Sequence, residues 1–384
     1  MRVNDCRYKI EEHQEKGMSA MQFFRADHVG SLLRPKELIE ARHRFRDKQI
    51  SESELKEIED RAIRHVVKFQ EDVGLKVVTD GEFRRGAFFS HFVKTVDGMT
   101  VKETPFTFGN DAGDTAQAFA PYTKGRLKRA RGITTEEFKF VQGLTSCTAK
   151  VTMPAPPYVN FLGGRERVAV EAYPDIKEYF RDLAAVYREE LAELSKLGCR
   201  YVQLDEVPLA MMEDAQVNAT IRSLGEDPDA LIDAYMETIA GAVRDKPAGM
   251  MVAMHLCRGN YKGRWLASGG YERVAERLFN IPGIEVFLME YDSPRAGSFE
   301  PLRHLPKGKM VALGLVSSKT AKLEDKKAVM ARIDEAAKYT TLDQLGITPQ
   351  CGFATNLTGS PLTEADERAK LSLVVEIARE VWKQ

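Results

Sequence analysis

Apolar positions along the chain recur in one unit: a helical stripe, a glycine, then a short apolar run that ends on a polar side chain. In the first clear copy, Leu55, Ile58, Ala62, Val66 and Phe69 keep the spacing of one helix face. Gly74 stops that helix, and the run 75–79 leads into Asp80, Gly81 and Glu82. In the second, Pro174 opens a helix whose stripe is Ile176, Phe180, Leu183, Tyr187, Leu191 and Leu194. Gly198 ends it, and 201–204 delivers Asp205 and Glu206. A third copy ends its helix at Gly346 and delivers Cys351. Together such runs predict eight strands, at 24–28, 77–79, 148–153, 201–204, 250–255, 285–290, 309–315 and 347–351, with helix-length segments between most of them.

Eight strands alternating with helices fit an α/β fold of the closed (β/α)8 TIM-barrel class, with an open doubly wound sheet as the competitor. The polar strand ends favour the barrel, because a barrel gathers them at one mouth and an open sheet leaves half of them at its edges. The stretch 83–146 is too long for a plain connection. It carries turn signals at Asp97-Gly98, Gly109-Asn110 and Ala112-Gly113, and β-like pieces at 92–96 and 138–144. It is expected to be an insertion after the second strand that partly covers the mouth. The predicted division is an N-terminal extension over 1–23, polar enough to stay disordered, and one catalytic barrel over 24–384 with the insertion at about 83–146.

Composition narrows the function. The chain has 384 residues, 43% of them hydrophobic, enough for a substantial core. Its 56 basic and 57 acidic residues nearly cancel, with no basic tract that would mark a nucleic-acid surface, so small molecules are the expected partners. The polar first twenty or so residues lack a signal-peptide core, and no apolar run is long enough to cross a bilayer, which excludes a membrane partner. Five scattered cysteines, Cys6, Cys147, Cys199, Cys257 and Cys351, make a poor disulfide framework and fit a reducing, cytoplasmic setting. Homo-oligomers are left open.

The chemistry gathers at strand ends. His255 and Cys257 are two apart, so on a strand their side chains point the same way while Leu256 faces the helices. Alone, the pair reads more readily as a satisfied core histidine beside an inert buried cysteine. Glu290 ends the next strand and Cys351 the last, which gives four residues of types that zinc accepts on one barrel face. A thiol bound to zinc loses its proton, so the site suggests chemistry on sulfur. Asp205 and Glu206 would sit on a loop facing the mouth. Asp80 to Glu82 and Gly30-Ser31 read equally as plain turns. Tyr158 or Phe161 could stack a flat donor ring or simply pack. Arg258, Asn260 and Arg295, beside the proposed ligands, could recognise a carboxylate or sulfonate or lie in solvent.

The segments His28-Val29-Gly30-Ser31, Asp80-Gly81-Glu82, Gln203 to Pro208, His255-Leu256-Cys257, Glu290 and Pro349-Gln350-Cys351-Gly352 resemble, in order, the catalytic barrel of cobalamin-independent methionine synthases. The likeness runs from about Phe24 to the C-terminus and is nearest to the short, single-barrel, zinc-dependent relatives. It implies zinc as cofactor, with His255, Cys257, Glu290 and Cys351 as ligands. It further implies that Glu82 and Asp205 hold the ammonium of homocysteine, that Gly30 and Ser31 offer amides to its carboxylate, and that Asp205 also takes part in catalysis. The implied activity is methyl transfer to the homocysteine thiol, giving methionine, from a donor left unidentified. One departure stands out: where the resemblance implies a histidine that assists transfer from folate, this chain has Lys319, which could donate a proton or grip an anionic donor but is not an equivalent acid at neutral pH. Two alternatives stay open. One is an alkyl transferase acting on another small thiol such as coenzyme M, with an epoxide or other alkyl donor, favoured if Arg25, Arg258 or Lys319 face the mouth. The other is a non-catalytic thiol-binding barrel with structural zinc.

Overall fold

The computed structural model describes residues 23–109, 115–161 and 164–383, of which 104–109 and 115–118 as backbone. The extension expected at 1–23 lies outside these residues but for Phe23, as do Asn110, Ala112 and Gly113 of the predicted turns. Among the described residues nine strands are formed: β1 (Val77–Val78), β2 (Val96–Gly109), β3 (Thr115–Arg129), β4 (Thr148–Pro154), β5 (Tyr201–Glu206), β6 (Met251–Leu256), β7 (Val286–Glu290), β8 (Met310–Val316) and β9 (Leu345–Pro349). Seven of them make one curled parallel sheet in the order β1-β4-β5-β6-β7-β8-β9, with helices over its outer face. The fold is an α/β barrel. None of the described helices is long and apolar enough to cross a membrane.

The helices follow from the patterns that predicted them. In Glu52–Val73 the Ser51 hydroxyl accepts the Glu54 N–H while the Glu54 carboxylate returns to Ser51, and Gly74 closes the helix at φ 100°. Its stripe buries Val66 and Phe69 in the main core, while Leu55 packs against Ala41 and Ile50. Asp175 caps Ile176–Lys196 by accepting the Lys177 N–H, and Leu183, Tyr187, Leu191 and Leu194 are buried along it.

The eighth expected strand, 24–28, is the weak one. It makes a single parallel bridge from Ala26 to Ile347, through the Asp27 N–H to Ile347 O at 3.1 Å and the Ile347 N–H to Arg25 O at 2.7 Å. Gly346 therefore does not end a helix as expected. It lies inside β9, where a Cβ would come within 3.0 Å of Arg25 O, so its bare backbone lets the two segments approach. On the other flank the seam to β1 is bridged by side chains, with Thr79 Oγ1 donating to Gly30 O at 2.6 Å and His28 Nε2 lying 3.3 Å from Val77 O.

The stretch after β1 does leave the barrel, as β2 and β3 pair antiparallel into a long hairpin. The β-like pieces expected at 92–96 and 138–144 are corrected: these residues fall largely in the helices Ser90–Thr95 and Thr135–Gln142. Phe138 and Val141, three apart and both buried, form a helix face, and the Glu190 carboxylate takes the N–H groups of Ile133 (2.9 Å) and Thr134 (2.7 Å) just before that helix begins.

Strand parity then decides what the barrel encloses. Tyr201, Met251, Ala253, Val286, Leu288, Met310 and Ala312 pack with one another as the interior cluster. Their neighbours Val202, Leu204, Val252, Met254, Leu256, Phe287 and Met289 join the layer against the helices. Asp205, His255 and Glu290 each continue the interior series at a strand's C-terminal end.

The last long helix, Glu364–Trp382, is tied to the barrel through Glu367, whose Oε1 accepts the Leu33 N–H at 3.0 Å. Burial pushes Glu367 up to about 8. The folded chain thus binds this proton more tightly than the unfolded chain does, and Glu367 withdraws stability as pH rises from the ordinary glutamate range, ~4.3, through about 8. Glu367→Gln keeps the acceptor and removes the charge. It is predicted to be more stable than the parent at pH 9, on the order of a few kcal/mol, with the advantage shrinking below pH ~5. Urea unfolding at the two pH values checks this, and a pH-independent difference would contradict it.

Candidate active site

At the C-terminal ends of the strands a cavity of about 260 Å³ opens, and Ser31, Glu82, Asp205, His255, Cys257 and Cys351 line it together. These residues come from five separate segments of the chain. Gly30 stands behind the wall, its φ of 123° and a would-be Cβ only 2.5 Å from Thr152 Cγ2 explaining why glycine turns the chain there. Gly352 passes so close to Ser31 that a Cβ would lie 1.9 Å from Ser31 Oγ.

The metal-type donors sit on one side. His255 Nδ1 lies 3.1 Å from Leu288 O; a carbonyl can only accept, so Nδ1 carries the proton and Nε2 keeps a lone pair. Nε2 is buried without a hydrogen-bond partner. It forms one group with the sulfurs of Cys257 and Cys351, all three ligand atoms within 4.8 Å of one another. The Cys351 thiol, as hydrogen-bond donor, draws Cys257 well below the ordinary thiol range against the cost of burial. An orphaned imidazole nitrogen facing two sulfurs fits a thiophilic ion such as zinc.

Glu290 stands outside that group. Its Oε2 accepts the Arg258 N–H at 2.8 Å, and its Oε1 lies 2.7 Å from Arg295 Nη2 and 3.6 Å from Lys319 Nζ. Burial alone would raise its pKa, but the charges of Lys319, Arg295 and Arg258 bring it down to about 2. Lys319 belongs to this cluster and does not line the cavity. The Arg258 guanidinium turns outward to Tyr271 OH (2.9 Å) and Gly270 O (2.7 Å), while Arg25 reaches Asp343 O and Leu345 O, both at 2.8 Å, at the opposite end of the barrel. The cavity wall is thus without lysine or arginine among the described residues.

Two carboxylates face the cavity from the other side. Glu82 adopts φ 62°, a strained position for a residue with a Cβ. Its Oε1 accepts from Thr152 Oγ1 at 2.7 Å and lies 3.3 Å from Arg85 Nη1, while Oε2 is buried without a partner. Asp205 accepts from Gln203 Nε2 at 2.7 Å. Burial, and then the Glu82 charge, push Asp205 up to about 7 against the opposing pull of His255, and burial raises Glu82 as well. Two desolvated acids facing one space favour a cation between them. Glu206 takes no part: it turns to the helix layer and accepts the Leu209 N–H at 2.8 Å.

The roof of the cavity is aromatic. Tyr158 lines it beside Phe88 and Phe89, with ring centroids 4.6 and 5.6 Å from Tyr158, and Phe119 reaches it from β3. Phe161, the other aromatic considered for stacking, packs against Tyr235 instead. Sequence reasoning passed over Phe88, Phe89, Phe119, Tyr261 and Asn356. The adjacent phenylalanines six residues beyond Glu82 were the available signal.

Comparison with known proteins settles the family. The model of the cobalamin-independent synthase catalytic domain matches residues 24–380.

The chain belongs to that family.

An uncharacterized Bacillus subtilis protein, YxjH, is 37% identical over 364 residues, covering 94% of this chain and 95% of its own. A methionine synthase of Sulfolobus acidocaldarius is 22% identical over 327 residues, 85% of this chain and 84% of its own. Among solved structures, a putative vitamin-B12-independent methionine synthase from Listeria monocytogenes superposes with a TM-score of 0.74 at 32% identity, over 94% of this chain and 98% of that one. The fold is shared by a B12-independent methionine synthase from a Shewanella species, crystallised with selenomethionine, at a TM-score of 0.73 and 21% identity over 94% of this chain and 98% of that one. Within this methyltransferase-like enzyme family, the contact between Gly352 and Ser31 gives a local test. Gly352→Ala is predicted to cost about 1–3 kcal/mol, and adding Ser31→Ala to recover most of it. Urea unfolding of the single and double variants checks this, and purely additive losses would contradict the contact.

Proposed function

We propose that the protein is a zinc-dependent methyltransferase whose acceptor is the thiol of homocysteine and whose product is methionine. One observation carries the reading: a His255, Cys257 and Cys351 group that suits zinc and a pair of carboxylates that suits an ammonium line one cavity. His255, Cys257 and Cys351 would hold the zinc, with Glu290 as the fourth proposed ligand. The ion, when bound, supplies a thiolate at neutral pH, where a free thiol with a pKa of ~8.5 is mostly protonated.

The remaining work falls to the chain. Glu82 and Asp205 take the substrate ammonium by charge-assisted hydrogen bonds, each through an oxygen not used by the protein. Ser31 lies where it can meet the substrate carboxylate. The apolar roof of Phe88, Phe89 and Tyr158 keeps water from the sulfur and leaves a face for the methyl donor. Lys319 acts as a counter-ion for Glu290, not as a proton donor in the cavity. The acidic, cation-free wall favours an amino-acid thiol over a sulfonate thiol such as coenzyme M, because a sulfonate would meet two carboxylates and no arginine or lysine. We propose as well that 24–384 acts as one catalytic unit, with the hairpin between β1 and β4 forming part of the roof.

Cys257→Ser and Cys351→Ser are each predicted to lose most of the bound zinc and, with it, methionine formation from homocysteine, measured by elemental analysis and product assay on one preparation. A variant that keeps both would remove that cysteine from the site. Zinc lost with transfer unaffected would leave only a structural role for the metal.

A further inference from the structure

Gln203 is fully buried on β5, two residues before Asp205, and takes no place in the cavity wall. Its orientation is imposed from below. Lys150, buried on β4, directs its ammonium to Asp27 Oδ1 at 2.7 Å, to His28 O and to Gln203 Oε1 at 3.0 Å. Asp27 is balanced further by Tyr201 OH, which donates to Oδ2 at 2.6 Å. An ammonium only donates, so the oxygen of the Gln203 amide must face Lys150 and its nitrogen must face away. There Nε2 donates to Val29 O at 2.6 Å and to Asp205 Oδ1 at 2.7 Å, which spends both of its hydrogens.

Among the described residues, Gln203 is the sole hydrogen-bond donor to the Asp205 carboxylate. A lysine or arginine in its place would neutralise Asp205 within the protein. A neutral amide fixes the carboxylate in space and leaves its charge for a ligand. Glu82 differs in one respect: its Oε1 is anchored by Thr152 and lies 3.3 Å from Arg85 Nη1, while Oε2 is left unpartnered.

We propose that Gln203, oriented by the buried Lys150–Asp27 pair, is the positioning residue that makes this cavity select thiols bearing a primary ammonium. It holds one Asp205 oxygen so that the other is presented to the cavity across from Glu82. The proposal rests on the reading of the cavity as an amino-acid site and goes beyond it by assigning selectivity to a residue that never touches the ligand.

The test is calorimetric titration of zinc-loaded protein with homocysteine and with 4-mercaptobutanoate, which has the same thiol and carboxylate but no amine. The parent is expected to prefer homocysteine. Gln203→Met, which keeps the length and removes the donor, is expected to weaken homocysteine about 10- to 100-fold and to leave 4-mercaptobutanoate unchanged. Should it not fold, Gln203→Asn carries the same expectation, since its amide is one methylene too short to reach Lys150 and Asp205 together. A residue that merely supports the fold would weaken both thiols alike, and that result, or a variant that retains the preference, overturns the role of Gln203 alone. A parent that binds both thiols equally overturns the amino-acid reading, and the proposal with it.

Discussion

The barrel is held shut at its weakest point by a buried ion pair. β1 is two residues long and the segment before it makes a single backbone bridge, so the seam between them has few ladder hydrogen bonds of its own. Lys150 and Asp27, neither side chain exposed, span that seam from β4, while Tyr201 satisfies the second Asp27 oxygen. Removing one partner of such a pair leaves a buried charge uncompensated, at a cost of roughly 3–5 kcal/mol. The site depends on this closure, because Ser31 and Glu82 follow the two sides of the seam and Asp205 stands above Gln203 on the far end of the same network.

Above the seam the cavity separates two electrostatic demands. On one side, an imidazole nitrogen and two sulfurs lie together with no cation on the cavity wall, a setting that favours a soft metal ion. On the other, two carboxylates are desolvated far enough to be raised in pKa, and a bound ammonium relieves that cost. Of the positive charges near the site, Arg295 and Lys319 pair with Glu290, and Arg85 with Glu137 and Glu82. Lys319 lies beside an acid that is not part of the cavity lining.

Much of this was legible in the chain because it follows from short-range periodicity. The helix stripe from Leu55 to Phe69 and the two-residue alternation that aligns His255 with Cys257 survive folding unchanged, and both predict which side of an element is buried. The misreadings arose where tertiary partners decide. Gly346 looks like a helix stop, yet it is in a strand because Arg25, more than three hundred residues earlier, packs on it. The 138–144 run looks like a strand, yet most of it is helical, and Glu190, from a distant helix, holds the two N–H groups just before that helix begins. Arg25 and Arg258, candidates for the mouth, are drawn elsewhere by backbone carbonyls and Tyr271 that no local pattern reveals.

The central claim is that zinc held by His255, Cys257 and Cys351 receives a thiol beside an ammonium pocket. Zinc X-ray absorption on the purified protein, with and without homocysteine, tests it most directly, because it counts sulfur neighbours before and after the substrate arrives. The account predicts bound zinc with two sulfur ligands that gains a third on adding homocysteine. Zinc whose sulfur count does not change, or protein that binds no zinc, would contradict it.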